Sequence, residues 1–152
     1  MKLKTLLVLL LAGAALAGCH RLDPNSPLAK RQAIFKQMLH VSEDMGGMLR
    51  GRVVFDAEKF RADSVKLNEL AGQPWQYFPT SKPTDEGGDS RARDELWQRQ
   101  LEFQADAKTF QQAAAALEAN TRQATPTADG VRKDLAAVED ACEACHKKFR
   151  AL

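Results

Sequence analysis

Cys142-Glu143-Ala144-Cys145-His146 stands six residues before the end of a 152-residue chain. It has the form C-x-x-C-H, the attachment signature for c-type haem. The two thiols can add to the haem vinyl groups, and the imidazole can take one axial iron position. The place of the motif constrains the fold. Six residues follow it and none is Met, so any group facing the other side of the iron must come from an upstream element.

C-x-x-C also occurs as a redox dithiol or as half of a zinc site. A redox dithiol belongs beside a βαβ pattern, which is missing. Zinc would need further ligands, and the remaining candidates are His20, His40 and Cys19. The adjoining His146, the helical pattern and the N-terminal segment all favour haem.

Working back from the motif, Val131, Leu135, Val138, Cys142, Cys145 and Phe149 recur at helical spacing and put both cysteines on one apolar face. Thr125-Pro126 reads as the cap and first-turn proline of this last helix. A long third helix is expected over Ala92 to Asn120. Its stripe is Leu96, Phe103, Ala107, Phe110, Ala114 and Leu117, widened by Trp97 and Leu101. A second helix is expected over Asp56 to Ala71, on Ala57, Phe60, Ser64, Leu67 and Ala71, with Asp56 as cap and Gly72 and Pro74 as the stop. The first starts near Pro27 or Leu28 behind Ser26 and follows Leu28, Arg31, Phe35, Met38, Ser42, Met45 and Leu49. Gly46-Gly47 should loosen or end it early. Arg31 and Ser42 interrupt its apolar stripe.

Residues 73 to 90 show no period and are punctuated by Pro74, Pro79, Pro83 and Gly87-Gly88. So long a connection in a compact domain is uncommon and often functional. Its Trp75, Tyr77 and Phe78 are expected to plug one end of the structure, and a haem edge can be part of what they cover. No segment alternates with period two, so no strand is expected. The expected fold is all-α, an antiparallel four-helix bundle with covalently attached haem.

The first 18 residues form a separate unit. Lys2 and Lys4 precede an apolar run, Leu6 to Leu11, which is short for a spanning helix and typical of an export signal. Leu16-Ala17-Gly18-Cys19 resembles the bacterial lipobox, in which the cysteine becomes residue one and carries lipid. An ordinary signal peptide cut nearby is the alternative. The chain has three cysteines and the motif uses two, so lipidation of Cys19 accounts for the odd thiol. Two or three acyl chains would anchor the protein stably. Residues 19 to 27 then form a spacer and 28 to 152 the haem domain. Covalent haem chemistry points to the periplasm, and His20 after the cysteine leans towards the outer membrane. Residues 1–18 hold two lysines and no acids, so of 22 basic and 20 acidic residues the remainder keeps 20 of each. Near neutrality gives no footing for a nucleic-acid partner.

Several further stretches, in order, resemble the class II c-type cytochromes, and specifically the cytochrome c-prime family. They are Arg31-Gln32, Pro74-Trp75 with Phe78, Glu86-Gly87-Gly88-Asp89, Glu95-Leu96-Trp97, and the motif followed by Phe149-Arg150. The likeness spans about 125 residues. It implies one covalent haem c with His146 as proximal iron ligand and Arg150, four residues on, beside the imidazole. It also implies Arg31 and Gln32 near the haem propionates, Trp75 near the haem, and Phe35 over the open side of the iron. Phenylalanine has no lone pair, so this arrangement implies five-coordinate, high-spin iron that takes small uncharged diatomics, nitric oxide and carbon monoxide, with nitric oxide protection as a role. The alternative is an electron carrier with Met38 as sixth ligand; a redox partner protein is then implied but unidentified. No acid/base pair accompanies Phe35, and His40 is expected to face outward, so the chain is not read as an enzyme. The family often forms homodimers through its first two helices.

Overall fold

The computed structural model describes residues 22–84 and 90–151. The expected export signal, Cys19, His20 and the Glu86 to Asp89 stretch lie outside the described residues.

Among the described residues are four long helices: α1 (Pro27–Leu49), α2 (Ala57–Ala71), α4 (Gln100–Gln123) and α5 (Ala128–Phe149). A 3-10 turn (Pro74–Tyr77) and a one-turn helix, α3 (Glu95–Gln98), lie in the connection from α2 to α4. Among these residues there is no strand, only a single antiparallel bridge between Ala92 and Arg150. No described helix is long and apolar enough to cross a membrane. α1 packs on α2, α2 on α4, α4 on α5 and α5 on α1, closing a four-helix ring.

The capping chemistry sets the boundaries. Ser26 Oγ accepts from the Ala29 amide at 3.2 Å ahead of Pro27, as expected for α1. Asp56 accepts from the amides of Glu58 and Lys59, both at 3.0 Å, and starts α2. At α5 the cap is Thr127, not Thr125. Its Oγ1 accepts from the Gly130 amide at 3.1 Å, and Pro126 stands one residue outside the cap.

Three further expectations are corrected. α1 does not stop at Gly46-Gly47, which are buried and helical. It stops at Gly51, whose φ of +69° is the left-handed conformation of a helix stop. The Gly51 amide bonds the Met48 carbonyl and the Arg52 amide the Gly47 carbonyl, satisfying the last acceptors. Gly46 instead makes room for the Arg50 side chain, which crosses to Glu139 on α5 at 3.0 Å; a Cβ at 46 would collide with that guanidinium. Secondly, the expected third helix is broken at Arg99 (φ −123°, ψ 46°), so a short α3 precedes α4 and Leu101 points into solvent, 85% exposed. Thirdly, α1 turns Ile34, Met38, Val41, Met45 and Met48 to the core, while Phe35, Ser42 and Leu49 are half-buried.

The main core includes Met45, Phe60, Leu67, Ala114, Leu117 and Val138, all wholly buried. Each large side chain there stabilises the fold by about 1.5–3 kcal/mol relative to exposure. Where α2 meets α4, the wholly buried hydroxyls of Ser64 and Thr121 lie 2.7 Å apart, and each also reaches a carbonyl on its own helix. Their polar atoms are thereby satisfied. Arg61 donates to the carbonyls of Thr121 and Ala124, capping the end of α4 from α2. A second, smaller cluster of Leu96, Phe103 and Phe149 sits at the motif end of the bundle.

Candidate functional site

Cys142, Cys145 and His146 occupy the last turns of α5. Val131, Leu135, Val138 and Ala141 bury the face that brings them there. Cys142 packs against the main core and Cys145 against the second cluster, so the two thiols straddle both. Burial first, then the charge of Glu139, pushes the Cys142 thiol up to about 11. Burial, then Asp106 and Cys142, pushes Cys145 to about 11, partly opposed by Lys148. His146 is exposed as a residue. Partial burial of its ring, then the Arg150 charge, lowers its pKa from the ordinary imidazole value. Beside them, Lys148 bonds both carboxylate oxygens of Asp106, at 2.9 and 3.0 Å, and pairs with Glu102 at 3.1 Å, fixing α5 to α4.

Arg150 does not share a helix face with His146, as an unbroken helix would require. It lies past the end of α5 in extended conformation, its amide bonding the His146 carbonyl at 3.0 Å. Residues 91–93 pair with it: the Arg93 amide bonds the Phe149 carbonyl and the Ala151 amide the Arg91 carbonyl. This pairing ends the helix and leaves Arg150 close enough to act on His146 by charge alone.

Six rings gather across from the thiols. Phe35 of α1 meets Trp75 and Phe78 edge-on, at 5.8 and 6.3 Å between centroids. Trp75 continues to Phe103 at 5.7 Å and Phe110 at 6.4 Å, Phe78 to Phe103 at 5.0 Å, and Phe103 to Phe149 at 5.5 Å. Trp75 is fixed by its indole N–H, which donates to the Ala71 carbonyl at 2.6 Å and ties the 3-10 turn to the end of α2. A cavity of about 240 Å³ opens between Trp75, Phe78, Phe103, Ala107, Gln100 and Gln104. The indole N–H of Trp97, which packs on the same cluster, is buried without a partner.

Arg31 is 3% exposed. Its Nη1 donates to the Tyr77 carbonyl at 3.0 Å and its Nη2 to Ser90 Oγ at 3.2 Å, with the guanidinium 4.6 Å from the centre of the Phe78 ring. It therefore staples both arms of the long connection to α1. Gln32 is exposed beside it and engaged in contacts of its own. Met38 is buried in the main core. His40 faces solvent, 76% exposed at its side chain and 4.0 Å from Asp44.

The structure thus brings together Cys142, Cys145, Phe35, Trp75 and Arg31, with His146 and Arg150 at the rim. The sequence pattern had placed Phe103, Phe110 and Phe149 only as core. The signal that set them apart was the collection of phenylalanines on facing stripes at the motif end. The partnership of Arg31 with Tyr77 and Ser90 had no sequence signal, because it spans 46 and 59 residues.

The donor set fits a covalently held haem. Two thiols on one helical segment pack against a ring-lined apolar region that has a cavity and an unsatisfied indole donor, with the imidazole of the same segment at its rim. Among the described residues no group of three or more His, Cys, Asp or Glu converges as a zinc site would need.

Comparison with known proteins points the same way. The family model described as Cytochrome C' matches residues 26–150. Cytochrome c' of Halomonas halodenitrificans is 28% identical over 131 residues, covering 85% of this chain and 98% of the relative. That of Alcaligenes xylosoxydans xylosoxydans is 29% identical over 132 residues, covering 84% and 94%. Among solved structures, cytochrome c prime from Shewanella frigidimarina superposes with a TM-score of 0.76 at 26% identity, covering 88% of this chain and all of that one. A carbon monoxide-bound variant of the Alcaligenes xylosoxidans protein gives 0.72 at 27% identity, covering 86% and 98%. A nitric oxide complex of another variant gives 0.71 at 27%, covering 86% and 99%.

Proposed function

The chain belongs to the cytochrome c' family and carries one covalent haem c, and from that premise we propose that it binds small uncharged diatomic gases, nitric oxide and carbon monoxide, at five-coordinate iron. The observation that carries the proposal is Phe35. Its ring packs edge-on against the stacked pair of Trp75 and Phe78 one turn after the buried Arg31, and it offers neither a ligating atom nor a hydrogen bond. The carbon monoxide and nitric oxide complexes of the Alcaligenes xylosoxidans variants support the same ligand class.

When bound, the haem supplies the iron that coordinates the gas. The chain supplies the rest. Cys142 and Cys145 hold the group covalently and His146 gives its imidazole nitrogen as the protein ligand. Arg150 keeps positive charge near that imidazole, favouring its neutral, ligating form. Arg31, Gln32 and Trp75 would border the group, where Arg31 would bring a cation suited to carboxylates. Phe35, Trp75 and Phe78 exclude water and favour apolar ligands. Binding of nitric oxide for protection follows from this, without an enzymatic turnover. Residues 1–18 are an export signal, Cys19 a lipid attachment point and 19–27 a spacer, placing residues 28–152 in the periplasm on a membrane tether, with the outer membrane favoured. Leu39, exposed on α1, is consistent with pairing of two copies through α1 and α2.

An optical spectrum of the reduced protein tests the reading. A broad high-spin spectrum that sharpens and shifts with carbon monoxide is expected. Sharp low-spin bands indifferent to carbon monoxide would instead assign Met38 as sixth ligand and an electron-transfer role.

A further inference from the structure

A second concavity, of about 330 Å³, lies outside the ring cluster at the start of α1. Leu22, Pro27, Leu28, Tyr77, Pro79 and Pro83 give it a mostly apolar lining. Its Tyr77 ring has the Lys30 ammonium 5.8 Å from its centre. Apolar surface edged by a tyrosine and a lysine suits the boundary between lipid headgroups and acyl chains, where an aromatic body is buried and a polar tip stays wet.

The chain leading to it sharpens the assignment. Leu22, which lines the groove, is three residues from Cys19, and three residues span at most about 10 Å. A lipid on Cys19 therefore cannot enter a bilayer without bringing this end of the bundle to its surface. The opposite end is remote: α1 has 23 residues, about 34 Å of helix, and Val54, 91% exposed, lies beyond its far end.

We propose that the groove formed by Leu22, Pro27, Leu28, Tyr77, Pro79 and Pro83 rests on the membrane surface, so that the bundle stands with its ring-lined site towards the lipid and its α1–α2 turn away from it. The orientation rests on the proposed lipidation of Cys19. It adds an access route to the proposed gas site. Trp75 and Phe78 belong to the same connection as Tyr77 and Pro79, and apolar diatomics dissolve better in hydrocarbon than in water. Gas leaving the bilayer would meet this face of the protein first.

The test uses the full-length, haem-loaded protein in vesicles of phosphatidylethanolamine and phosphatidylglycerol. In the mature protein the motif thiols are consumed as thioethers and Cys19 by lipid, so an introduced cysteine is the single thiol available to a nitroxide label. Ser81→Cys reports beside the groove and Val54→Cys at the far end. Intact mass of the N-terminal peptide establishes acylation separately. On vesicle incorporation, access of a water-soluble relaxation agent to the label at 81 should fall by roughly threefold or more, as for groups at headgroup depth, with the label at 54 unchanged. Tyr77→Asp, still acylated, should reduce that protection. Acylated protein with equal access at both positions, or with protection at 54, overturns the orientation while leaving lipidation standing. Unacylated Cys19 overturns the tether and the orientation with it. Neither result touches gas binding, which the spectrum reports.

Discussion

Phe35→Ala separates the barrier role of this ring from its packing role. Its edge-on contacts with Trp75 and Phe78, at 5.8 and 6.3 Å, are worth about 0.5–1.5 kcal/mol each beyond area burial. A ligand entering where Phe35 stands has to displace the ring and forfeit both contacts, about 2 kcal/mol in all. Removing the ring removes that cost from binding, and at tenfold per 1.4 kcal/mol the expected gain is roughly 30-fold in carbon monoxide affinity. The same substitution should destabilise the fold by about 2 kcal/mol, below the 3–5 kcal/mol of a fully buried phenylalanine, because this one is half-buried. Carbon monoxide titration and flash-photolysis rebinding of the reduced protein read the first quantity, and denaturant unfolding the second. An affinity gain under about threefold, in a variant shown to be folded, would refute the assignment of Phe35 as the barrier.

Arg31→Met removes the staple to the Tyr77 carbonyl and Ser90. Hydrogen bonds to charged groups contribute about 1.5–3 kcal/mol each net of solvation, so a loss of about 3–6 kcal/mol is expected, with faster amide hydrogen exchange in residues 77–84; unaltered exchange there would show that the connection is held by other contacts. Met38→Leu should cost less than about 1.5 kcal/mol as a volume-conserving core exchange and leave the haem spectrum unchanged, whereas a switch from low to high spin would reveal Met38 as an iron ligand. The carboxyls of Asp44, held low by Lys59, and Glu102, held low by Arg99 and then Lys148, have ordinary values of 3.8 and 4.5. Their stabilisation is present above those values and is lost as pH falls through the depressed folded ones. Lys148, raised from 10.5 chiefly by Asp106, adds stabilisation present below that value and lost as pH rises through the folded pKa. The melting temperature should therefore fall on both sides, and Glu102→Gln should flatten the acid limb; an unchanged limb would exclude this carboxylate as a contributor. Gly51→Ala, at φ +69°, should cost about 1–2 kcal/mol in urea unfolding.

Local chemistry carried much of the fold. Ser26 before Pro27, Asp56, and Gly72 with Pro74 are boundary signals whose hydrogen bonds involve near neighbours, and each marks the helix end it was expected to mark. Failures arose where tertiary contacts overrode local preference. Gly46 and Gly47 look like a weak point, but the helix runs through both, the small size of Gly46 makes room for Arg50, and the stop is supplied by Gly51. Arg99 has no helix-breaking character, yet the chain turns there; it pairs with Glu102 and stacks on Phe149 at 5.5 Å, contacts with α4 and the end of α5. Likewise C-x-x-C-H gave the site's chemistry and the family likeness pointed to Phe35, Trp75 and Phe78, while the contacts among these rings and the part taken by Phe103 appear only in the folded chain.

The register of α1 explains why its proposed ligand-facing row was blurred in the sequence. Ile34, Met38, Val41, Met45 and Met48 form the seam against the other helices, whereas Arg31 and Phe35 form a short row displaced from it towards the connection. A heptad reading merges the two rows, because at the start of α1 both sides are covered. The helix has an extra packing partner there: the segment carrying Trp75 and Phe78. That segment frees Phe35 from the seam that closes the bundle. The proposed place of Phe35 over the iron requires a side chain that can move, and one in the main seam, as Met38 is, could do so only by opening the core. Phe35 is half-buried against rings on a connection rather than on a long helix. Its displacement can therefore be absorbed by Trp75, Phe78 and their staple at Arg31, with the four-helix ring intact.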